Sequence, residues 1–386
     1  MKASLLALGL YRSSGGPSKS VAAFQRALSA DVISWVDPVA FAREPQIWDR
    51  VDCSCHVVAG SRLPILRQLC YPQRRGLAKA ERMVAESNLV SCHSFWRWHN
   101  IWLQTVSRRH GVPYWFVPHG ALDPYVLATD RVVKKAFLSL GGRRFLDGAK
   151  AVVCATQREY DKLAALMPNA KPVILPWPLD EDDFRERDVT ARAALRESLG
   201  IPETAVVMLY FGRLHSMKRP LETIAAVARS RNALCHLLIV GNEFGITLAD
   251  CRQQARALGI TDRIHVIGPV YGPDRHRYID AADVYVSLSH RENFNFTAVE
   301  CMASGLPVVL SSGNDLSHDL QAAACGWMLS PQVPLEESLT EAAAAAPHTL
   351  LEYGRNARMW CDAHLRPEVF RQTLKTYADA VANDRP

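Results

Sequence analysis

The sequence predicts an α/β protein with two doubly wound domains in tandem, and three observations support that fold class. The chain has 386 residues, which is more than one hydrophobic core usually serves. Short apolar segments alternate with helical patterns along its length, as in the βαβ units that build a parallel sheet. Between residues 172 and 204 this alternation gives way to several prolines, an acidic run and a charged helix. We place the domain boundary in that stretch.

The first domain is predicted to begin with a buried strand within residues 1–10. This segment contains a basic residue and a short apolar run, but no small-residue cleavage site follows, so we do not interpret it as a signal peptide. A glycine-rich turn at residues 13–18 then opens a helix with apolar side chains at helical spacing. Such a helix start offers backbone N–H groups to a phosphate, although a plain strand-to-helix turn has the same pattern.

Further strands are predicted from short apolar runs bounded by turn residues. In the first domain they are residues 31–36, 57–59, 89–91, 114–117 and 151–154. In the second domain they are residues 206–211, 237–240, 264–267, 284–288 and 308–310, and the alanines at 342–346 predict a helix. Ligands of such sheets bind at the carboxyl ends of strands, and His93 and His119 follow two of these strands.

The composition excludes several classes of protein. No run of about 18 apolar residues occurs, so no segment is predicted to span a membrane. The 10 cysteines lack paired metal-ligand spacing, which favours reduced thiols in the cytoplasm. A zinc site formed by Cys53, Cys55 and His56 is an alternative, but one close pair without a second is more typical of a buried strand.

Charge is distributed unevenly between the two halves of the chain. Residues 1–180 contain 24 Lys and Arg against 13 Asp and Glu, whereas residues 181–386 contain 21 against 26. Basic residues at 62–82 and 131–150 are interleaved with apolar ones, which fits either peripheral contact with an anionic membrane or a solvated helix face. No nucleic-acid-reading module accompanies this charge, so we predict no nucleic-acid partner.

The segment of residues 290–309 contains the clearest functional pattern, because Glu292 and Glu300 have seven residues between them. The segment follows a predicted strand, enters a helix and leads into another strand. If every step between the two glutamates were helical, the rise would be about 12 Å. The carboxylates are then too distant to share one proton, and they are better suited to bind two parts of an elongated ligand.

A second pattern follows the first strand of the second domain. Arg213 lies in the loop after that strand, and Lys218 follows five residues later, ahead of a helix. A guanidinium and an ammonium at this position suit a diphosphate, because they would neutralise the charge that a departing nucleoside diphosphate gains. Without the two downstream glutamates, two solvated loop cations would be the simpler interpretation.

Together these patterns resemble the motifs of the retaining glycosyltransferases of family 4. The resemblance covers nearly the whole chain and is strongest over residues 206–312. Four motifs occur in the family's order, namely Gly15-Gly16-Pro17, Pro118-His119-Gly120, Gly212-Arg213-Leu214 with Lys218, and Glu292 to Glu300. The resemblance implies GT-B architecture, in which two Rossmann-like domains face each other across a cleft. Residues 1–178 would bind the acceptor, residues 179–365 the nucleotide sugar, and residues 366–386 would form a helix that returns to the first domain.

The resemblance also implies roles for individual residues. The donor-binding residues would be Gly16, Arg213, Lys218, Phe294, Asn295 and Glu300. Among them, Arg213 and Lys218 would bind the diphosphate, Glu300 would bind the ribose hydroxyls, and the two loop residues would offer backbone amides to donor oxygens. Glu292 and His119 would be the catalytic residues beside the transferred sugar. A carboxylate accepts two hydroxyl hydrogen bonds, which fits a ribose.

The chain departs from the family pattern in the loop after the first glutamate. Family members commonly have glycine there, whereas this chain has Asn293 and Asn295. Asparagine tolerates left-handed backbone better than most residues, so the loop can form, and its side chain would narrow or retune the sugar pocket.

Acceptor contacts are predicted for His93, Asp123 and Tyr125, which lie near the ends of predicted strands in the first domain. The aromatic residues around His93 are more typical of a core. The acidic run at residues 180–183 superficially resembles the metal-binding Asp-x-Asp motif of another glycosyltransferase fold. It lies in the interdomain segment, and the two cations at Arg213 and Lys218 take the role of a metal, so we predict a metal-independent site without a cofactor.

The activity that the resemblance implies is transfer of a hexose-type sugar from a UDP- or GDP-linked donor. The acceptor would be a sugar or a lipid-linked saccharide in bacterial polysaccharide or glycoconjugate synthesis, and the anomeric configuration would be retained. The expected location is cytoplasmic, with peripheral contact to the inner face of the cell membrane. Two alternatives stay open, namely a GT-B-fold epimerase of nucleotide sugars and an inactive homologue that binds a nucleotide sugar.

Overall fold

The computed structural model describes residues 1–9, 11, 16–43, 54–63, 66–67, 70–74, 76–230, 232–332 and 334–383. These residues form two compact units. The first unit comprises residues 1–178 together with the described residues from Pro367 onward, and the second comprises residues 179–366.

The first unit contains a parallel sheet with the strand order β3-β2-β1-β4-β5-β6-β7. Its strands are β1 (Ala3–Leu8), β2 (Asp31–Val36), β3 (Cys55–Ala59), β4 (Leu89–His93), β5 (Tyr114–Val117), β6 (Ala151–Cys154) and β7 (Lys171–Ile174). The pairing of β1 with β4 is parallel, and it is the point where the strand order reverses. The central strands are buried on both faces, which explains their unbroken apolar sequences.

Helices cover the sheet of the first unit. They are α1 (Gly16–Leu28), α2 (Pro38–Phe41), α3 (Leu77–Ala85), α4 (Trp98–His110), α5 (Pro124–Ala128), α6 (Arg131–Phe137), α7 (Arg143–Gly148) and α8 (Gln157–Leu163). In α1 the side chains of Val21, Phe24 and Leu28 are buried at the spacing of one helix face.

The second unit contains another parallel sheet, with the strand order β10-β9-β8-β11-β12-β13. Its strands are β8 (Val206–Phe211), β9 (Cys235–Val240), β10 (Ile264–Gly268), β11 (Val284–Ser287), β12 (Val308–Ser311) and β13 (Gly326–Leu329). The strand order reverses between β8 and β11, which pair in parallel.

The helices of the second unit follow the same alternation. They are α9 (Val189–Ser198), α10 (Pro220–Arg229), α11 (Leu248–Ala257), α12 (Arg275–Ala281), α13 (Phe296–Ala303), α14 (Leu316–Gln321), α15 (Thr340–Ala343) and α16 (Pro347–His364). Within the described ranges, no helix is long and apolar enough to cross a bilayer.

The last helix, α17 (Pro367–Asn383), belongs to the first unit, where it packs against α1. The Phe370 ring meets the Phe24 ring edge to face, with 5.2 Å between their centroids. Phe24 also meets Trp177, at 5.5 Å. These buried rings attach α17 to the first unit through apolar contact.

The predicted α/β class with two parallel sheets is confirmed, but β7 and β13 are not among the predicted strands. β7 is a short edge strand that contains Pro172, and β13 is only half-buried, so neither has a strong apolar signal. The alanine cluster was expected to be helical throughout, but α15 ends at Ala343. The proposed zinc ligand Cys53 lies outside the described residues, and His56 Nε2 is 2.8 Å from the carbonyl oxygen of Gly76.

Replacing Phe370 with alanine should destabilise the first unit by about 3–5 kcal/mol, because it removes a fully buried ring and leaves a cavity. Denaturant unfolding followed by fluorescence measures this loss. Lys375→Ala, an exposed change on the same helix, is the control and should shift the free energy of unfolding by less than about 0.5 kcal/mol. Equal unfolding midpoints for Phe370→Ala and the wild type would contradict the packing of α17.

Candidate functional site

The candidate site of the second unit is built on the loops that follow β8 and β11. These strands are neighbours at the reversal of strand order, where helices leave to opposite faces of the sheet and the loops border a crevice. The loop after β8 carries Arg213 and Lys218, and the loop after β11 carries Glu292. The topology therefore brings three of the predicted site residues to one edge of one sheet.

Close backbone contact determines the path of the loop after β8. The N–H of Gly212 donates to the carbonyl oxygen of Val240 at 2.9 Å. A Cβ on Gly241 would overlap the carbonyl oxygen of Gly212, so this position accepts only glycine without a backbone shift. The Tyr210 hydroxyl donates to the Arg213 carbonyl at 2.8 Å, and the Arg213 guanidinium lies 5.0 Å from the centre of the Phe244 ring.

Lys218 and Glu292 are in direct contact, which the sequence did not predict. Lys218 Nζ lies 2.8 Å from Glu292 Oε2, and both side chains are about one-fifth exposed. The Ser289 hydroxyl donates to the same oxygen at 3.4 Å. The lysine charge is therefore already partly balanced by a carboxylate, and an anion that approaches Lys218 competes with Glu292 for it.

The backbone of Glu292 is fixed by the segment after β12. Its N–H donates to the Gly313 carbonyl and its carbonyl accepts from the Asp315 N–H, both at 2.9 Å. A Cβ on Gly313 would overlap the carbonyl oxygens of Ser289 and His290, so glycine is required for this close approach. The carboxylate of Glu292 is thus held by a rigid backbone frame.

The prediction for the Asn295 side chain is corrected by the structure. Asn295 has φ −84° and ψ 84°, outside the left-handed region, and its side chain is only 3% exposed. Its Oδ1 caps α13 by accepting from the Ala298 N–H at 3.2 Å, while its Nδ2 donates to Asn314 Oδ1 at 3.1 Å. The side chain faces the interior because the helix start needs a cap there, so it does not narrow a pocket. Phe294 is also buried.

Glu300 lies on α13 and is nearly buried, with 7% of its surface exposed. The helix begins only at Phe296, so the estimate of a wholly helical rise between the two glutamates does not apply. Arg275 Nε is 3.9 Å from Glu300 Oε2, and a terminal nitrogen of Arg275 is hydrogen-bonded to Asp183. Burial lowers the pKa of Arg275, but Glu300 and Asp183 outweigh burial and raise it. Sequence reasoning missed Arg275.

The acidic run before α9 faces arginines in the second unit. Asp183 pairs with Arg275, and Glu181 Oε2 is 2.8 Å from Arg366. Asp183 and Glu181 therefore have cationic partners within the protein.

In the first unit, His93 and His119 form a hydrogen-bonded pair. His93 ends β4, and His119 follows β5 with a left-handed φ of 50°. His93 Nδ1 lies 2.9 Å from His119 Nε2, and Ser91 Oγ lies 3.0 Å from His93 Nε2. Burial lowers the pKa of His119 to about 4, and burial followed by the neighbouring imidazoles lowers that of His93 well below its usual value. Both rings are therefore neutral near pH 7, and one donates to the other.

A buried carboxylate that sequence reasoning missed holds the turn at His119. Glu159 accepts from the Gly120 N–H at 2.8 Å through one oxygen and from the Ala155 N–H at 2.9 Å through the other. Thr156 caps α8 by accepting from the Glu159 N–H at 3.0 Å. The pattern Thr-x-x-Glu at a helix start is the sequence signal that identifies this residue.

The other predicted residues of the first unit have different surroundings. Gly16 is the first residue of α1, and Gly15 lies outside the described residues. Asp123 is buried, accepts from the Tyr125 N–H at 2.9 Å and pairs with Lys162 at 2.8 Å. His93 is also buried, whereas Tyr125 is exposed. Of the three predicted acceptor contacts, Tyr125 is the one whose side chain is open to solvent.

Two family models and several relatives match this chain. A family model described as Glycosyl transferases group 1 matches residues 191–346, and one described as Glycosyl transferase 4-like domain matches residues 15–177. D-inositol 3-phosphate glycosyltransferase 2 of Catenulispora acidiphila is 30% identical over 328 residues, which cover 78% of this chain and 74% of that protein. Matches to relatives in Geodermatophilus obscurus and Streptomyces scabiei cover 42% and 57% of those proteins.

Solved structures show the same fold. HepE of Anabaena, in complex with UDP, has a TM-score of 0.78 at 18% identity over 98% of this chain and 100% of that one. The lipopolysaccharide outer core galactosyltransferase WaaB has a TM-score of 0.72 at 14% identity over 98% of this chain and 99% of that one. Two Rossmann-like domains thus define a protein of GT-B architecture. The chain belongs to the group 1 glycosyltransferases, of the family 4 type.

The lowered pKa of His119, a partly buried residue, makes stability depend on pH. Its native pKa of about 4 lies below the ordinary value of 6.5, so the contribution is complete above that value and is lost as the pH falls towards about 4. Between about pH 7.5 and about pH 5, the wild type should lose about 2 kcal/mol more stability than His119→Gln. Urea unfolding at both pH values measures this difference, with His348→Gln as an exposed control. Equal losses in the wild type and His119→Gln would contradict the neutral assignment.

Proposed function

We propose that the protein transfers a hexose-type sugar from a nucleotide sugar to an acceptor hydroxyl, with retention of the anomeric configuration. The observation that carries this proposal is the contact of Lys218 with Glu292 at the reversal of strand order, with Arg213 on the same loop as Lys218 and Glu300 on the helix after Glu292. Cations and carboxylates in this arrangement suit the two chemical parts of the donor, an anionic diphosphate and polar sugar rings. Membership of the glycosyltransferase family supports the same reaction.

The proposed donor is a UDP- or GDP-linked sugar. Arg213 and Lys218 would bind the diphosphate with Gly16 beside it, and Glu300 would bind the ribose. The loop residues Phe294 and Asn295 would contribute backbone amides near the start of α13, where the helix dipole favours negative charge. HepE, which shares the fold, is described in complexes with UDP and with UDP-glucose, which supports a uridine donor.

In the proposed reaction, the bond between the sugar and the nucleoside diphosphate breaks, which gives the sugar oxocarbenium character. The acceptor hydroxyl attacks from the same face, and its proton passes to the departing diphosphate. Arg213 and Lys218 would stabilise the leaving group, a role that elsewhere belongs to a metal ion. As the diphosphate draws Lys218 away, Glu292 would be free to accept hydrogen bonds from the transferred sugar. His119 would act as a neutral hydrogen-bond partner near the reacting carbon. No covalent intermediate is proposed.

The proposed acceptor is an anionic or lipid-linked saccharide, as used in bacterial polysaccharide or glycoconjugate synthesis. The excess of basic residues in the first half of the chain favours an anionic molecule. The relative in Catenulispora acidiphila is named for D-inositol 3-phosphate, which carries such a charge. WaaB, a structural neighbour, is named for the lipopolysaccharide outer core. Tyr125 is the exposed candidate contact on this side.

Arg213→Ala should lower kcat by about 100- to 1000-fold, because it removes a cation from the departing diphosphate.

Glu300→Ala should weaken UDP or GDP binding about 10-fold or more, because it removes a charged hydrogen-bond acceptor. Turnover with a panel of UDP- and GDP-sugars, together with nucleotide-induced shifts in Tm, measures both effects. Arg277→Ala, an exposed arginine of α12, is the control.

Full activity of Arg213→Ala would overturn the phosphate assignment. Release of an epimerised nucleotide sugar without any acceptor would favour the epimerase instead. The anomeric configuration of the product, measured by NMR, tests retention separately.

We also propose peripheral contact with an anionic membrane on the cytoplasmic side, through the segment of residues 125–144. Large apolar side chains are exposed there, with Tyr125 at 58%, Val132 at 81%, Val133 at 58% and Leu140 at 69%. The same segment carries several exposed cations, namely Arg131, Lys135, Arg143 and Arg144. Exposed apolar and basic side chains on short helices are the combination that binds lipid headgroups and inserts into their boundary.

The protein should sediment with vesicles that contain anionic lipid, and the bound fraction should fall as salt rises. Replacing Val132, Val133 and Leu140 together with serine should reduce the bound fraction several-fold at low salt. Val189→Ser, an equally exposed apolar residue of the second unit, is the control and should bind as the wild type does. Binding that salt does not change, or no binding, would remove the proposal.

A further inference from the structure

Arg275 lies between two carboxylates that come from different parts of the second unit. It is the first residue of α12, Asp183 precedes α9, and Glu300 lies on α13. Both carboxylates are nearly buried, with 2% of Asp183 and 7% of Glu300 exposed. One guanidinium therefore faces two negative charges in a place with little water, where electrostatic attraction is strong.

The two carboxylates lie nearest to different nitrogens of the guanidinium. A terminal nitrogen of Arg275 donates a hydrogen bond to Asp183 Oδ1. The Nε–H is buried and has no hydrogen-bond acceptor within the described part of the chain. Glu300 Oε2 lies 3.9 Å from this nitrogen. That distance is an ion pair but is too long for a hydrogen bond, so a small movement of Glu300 would complete one.

Contacts other than the one with Glu300 also hold Arg275 in position. Two residues after Asp183, Arg185 donates to Asp280 Oδ1 at 2.6 Å and to the His276 carbonyl at 3.1 Å. The chain segment that carries Asp183 is thus bonded to the same helix that carries Arg275. Asp183 and α12 form a frame that holds the guanidinium in place and presents its Nε–H to α13.

We propose that Arg275 positions the carboxylate of Glu300 for the donor ribose. The Nε–H would hold one oxygen of Glu300, so that the other oxygen accepts the ribose hydroxyls. Arg275 acts through Glu300 and is a positioning residue, and Asp183 sets the direction of its guanidinium. This inference rests on the proposed function, because it takes Glu300 as the residue that binds ribose.

The test compares nucleotides that differ only in one ribose hydroxyl. UDP and 2′-deoxy-UDP, and GDP and 2′-deoxy-GDP, are titrated calorimetrically against the wild type and Arg275→Gln. The wild type should prefer the ribonucleotide by about 10-fold or more, the value of a hydrogen bond to a charged group. In Arg275→Gln this preference should fall to about 3-fold or less, because ribonucleotide affinity falls while deoxynucleotide affinity stays the same. Arg275→Lys keeps the charge and should restore part of the preference.

Two further variants separate positioning from a purely structural role. Arg277→Gln changes an exposed arginine on the same helix and should keep the wild-type preference. Arg275→Gln leaves two buried carboxylates without their cation, which destabilises the fold. The double variant Asp183→Asn/Arg275→Gln removes one charge of each sign, so it should fold, and it should show the same loss of preference.

Three outcomes would overturn the inference. Equal weakening of ribo- and deoxynucleotides in Arg275→Gln would mean that Arg275 contacts the phosphates or the base directly. An unchanged preference in the double variant would mean that the ion pair serves only the fold. If the wild type binds none of these nucleotides, the proposed function itself fails and the inference fails with it.

Discussion

The reversal of strand order at the centre of each sheet determines where this protein can hold a ligand. Right-handed crossovers send the helices after β1 and β4, and those after β8 and β11, to opposite faces of their sheets. The loops at this point have no helix above them and border a crevice. Every residue that the motifs single out follows one of these strands or an immediate neighbour. The topology therefore determines where a ligand can bind, and the residues at those positions determine which chemical groups the ligand meets.

In the second unit, close backbone contacts fix the positions of the loops at this edge of the sheet. Gly241 allows the loop after β8 to lie against the end of β9, and Gly313 allows the segment after β12 to lie against the loop that precedes Glu292. Both loops are thereby fixed relative to one sheet, and this brings Lys218 to 2.8 Å from Glu292. Removal of charge from water is costly unless the charges are paired, and each group of this pair balances the charge of the other.

The sequence predicts the fold well because the central strands are buried on both faces and read as unbroken apolar runs. It misses β7 and β13, which lie at sheet edges and have weak apolar signals. Spacing places Lys218 and Glu292 after central strands, but it contains no information about their contact. For the same reason, spacing does not predict long-range pairs such as Asp183 with Arg275. The prediction that the Asn295 side chain narrows the sugar pocket is wrong because this side chain caps α13 from inside the fold.

The two units differ in the charge of their predicted site residues. In the first unit, burial lowers the pKa of His93, which is fully buried, and of His119, which is partly buried, so both rings are neutral near pH 7. A neutral imidazole can exchange hydrogen bonds with hydroxyls but cannot balance a phosphate. In the second unit, the predicted phosphate-binding residues are the cations Arg213 and Lys218. If the protein transfers sugars as proposed, Arg213 and Lys218 therefore supply the positive charge that stabilises the departing diphosphate, and His93 and His119 contribute orientation rather than charge.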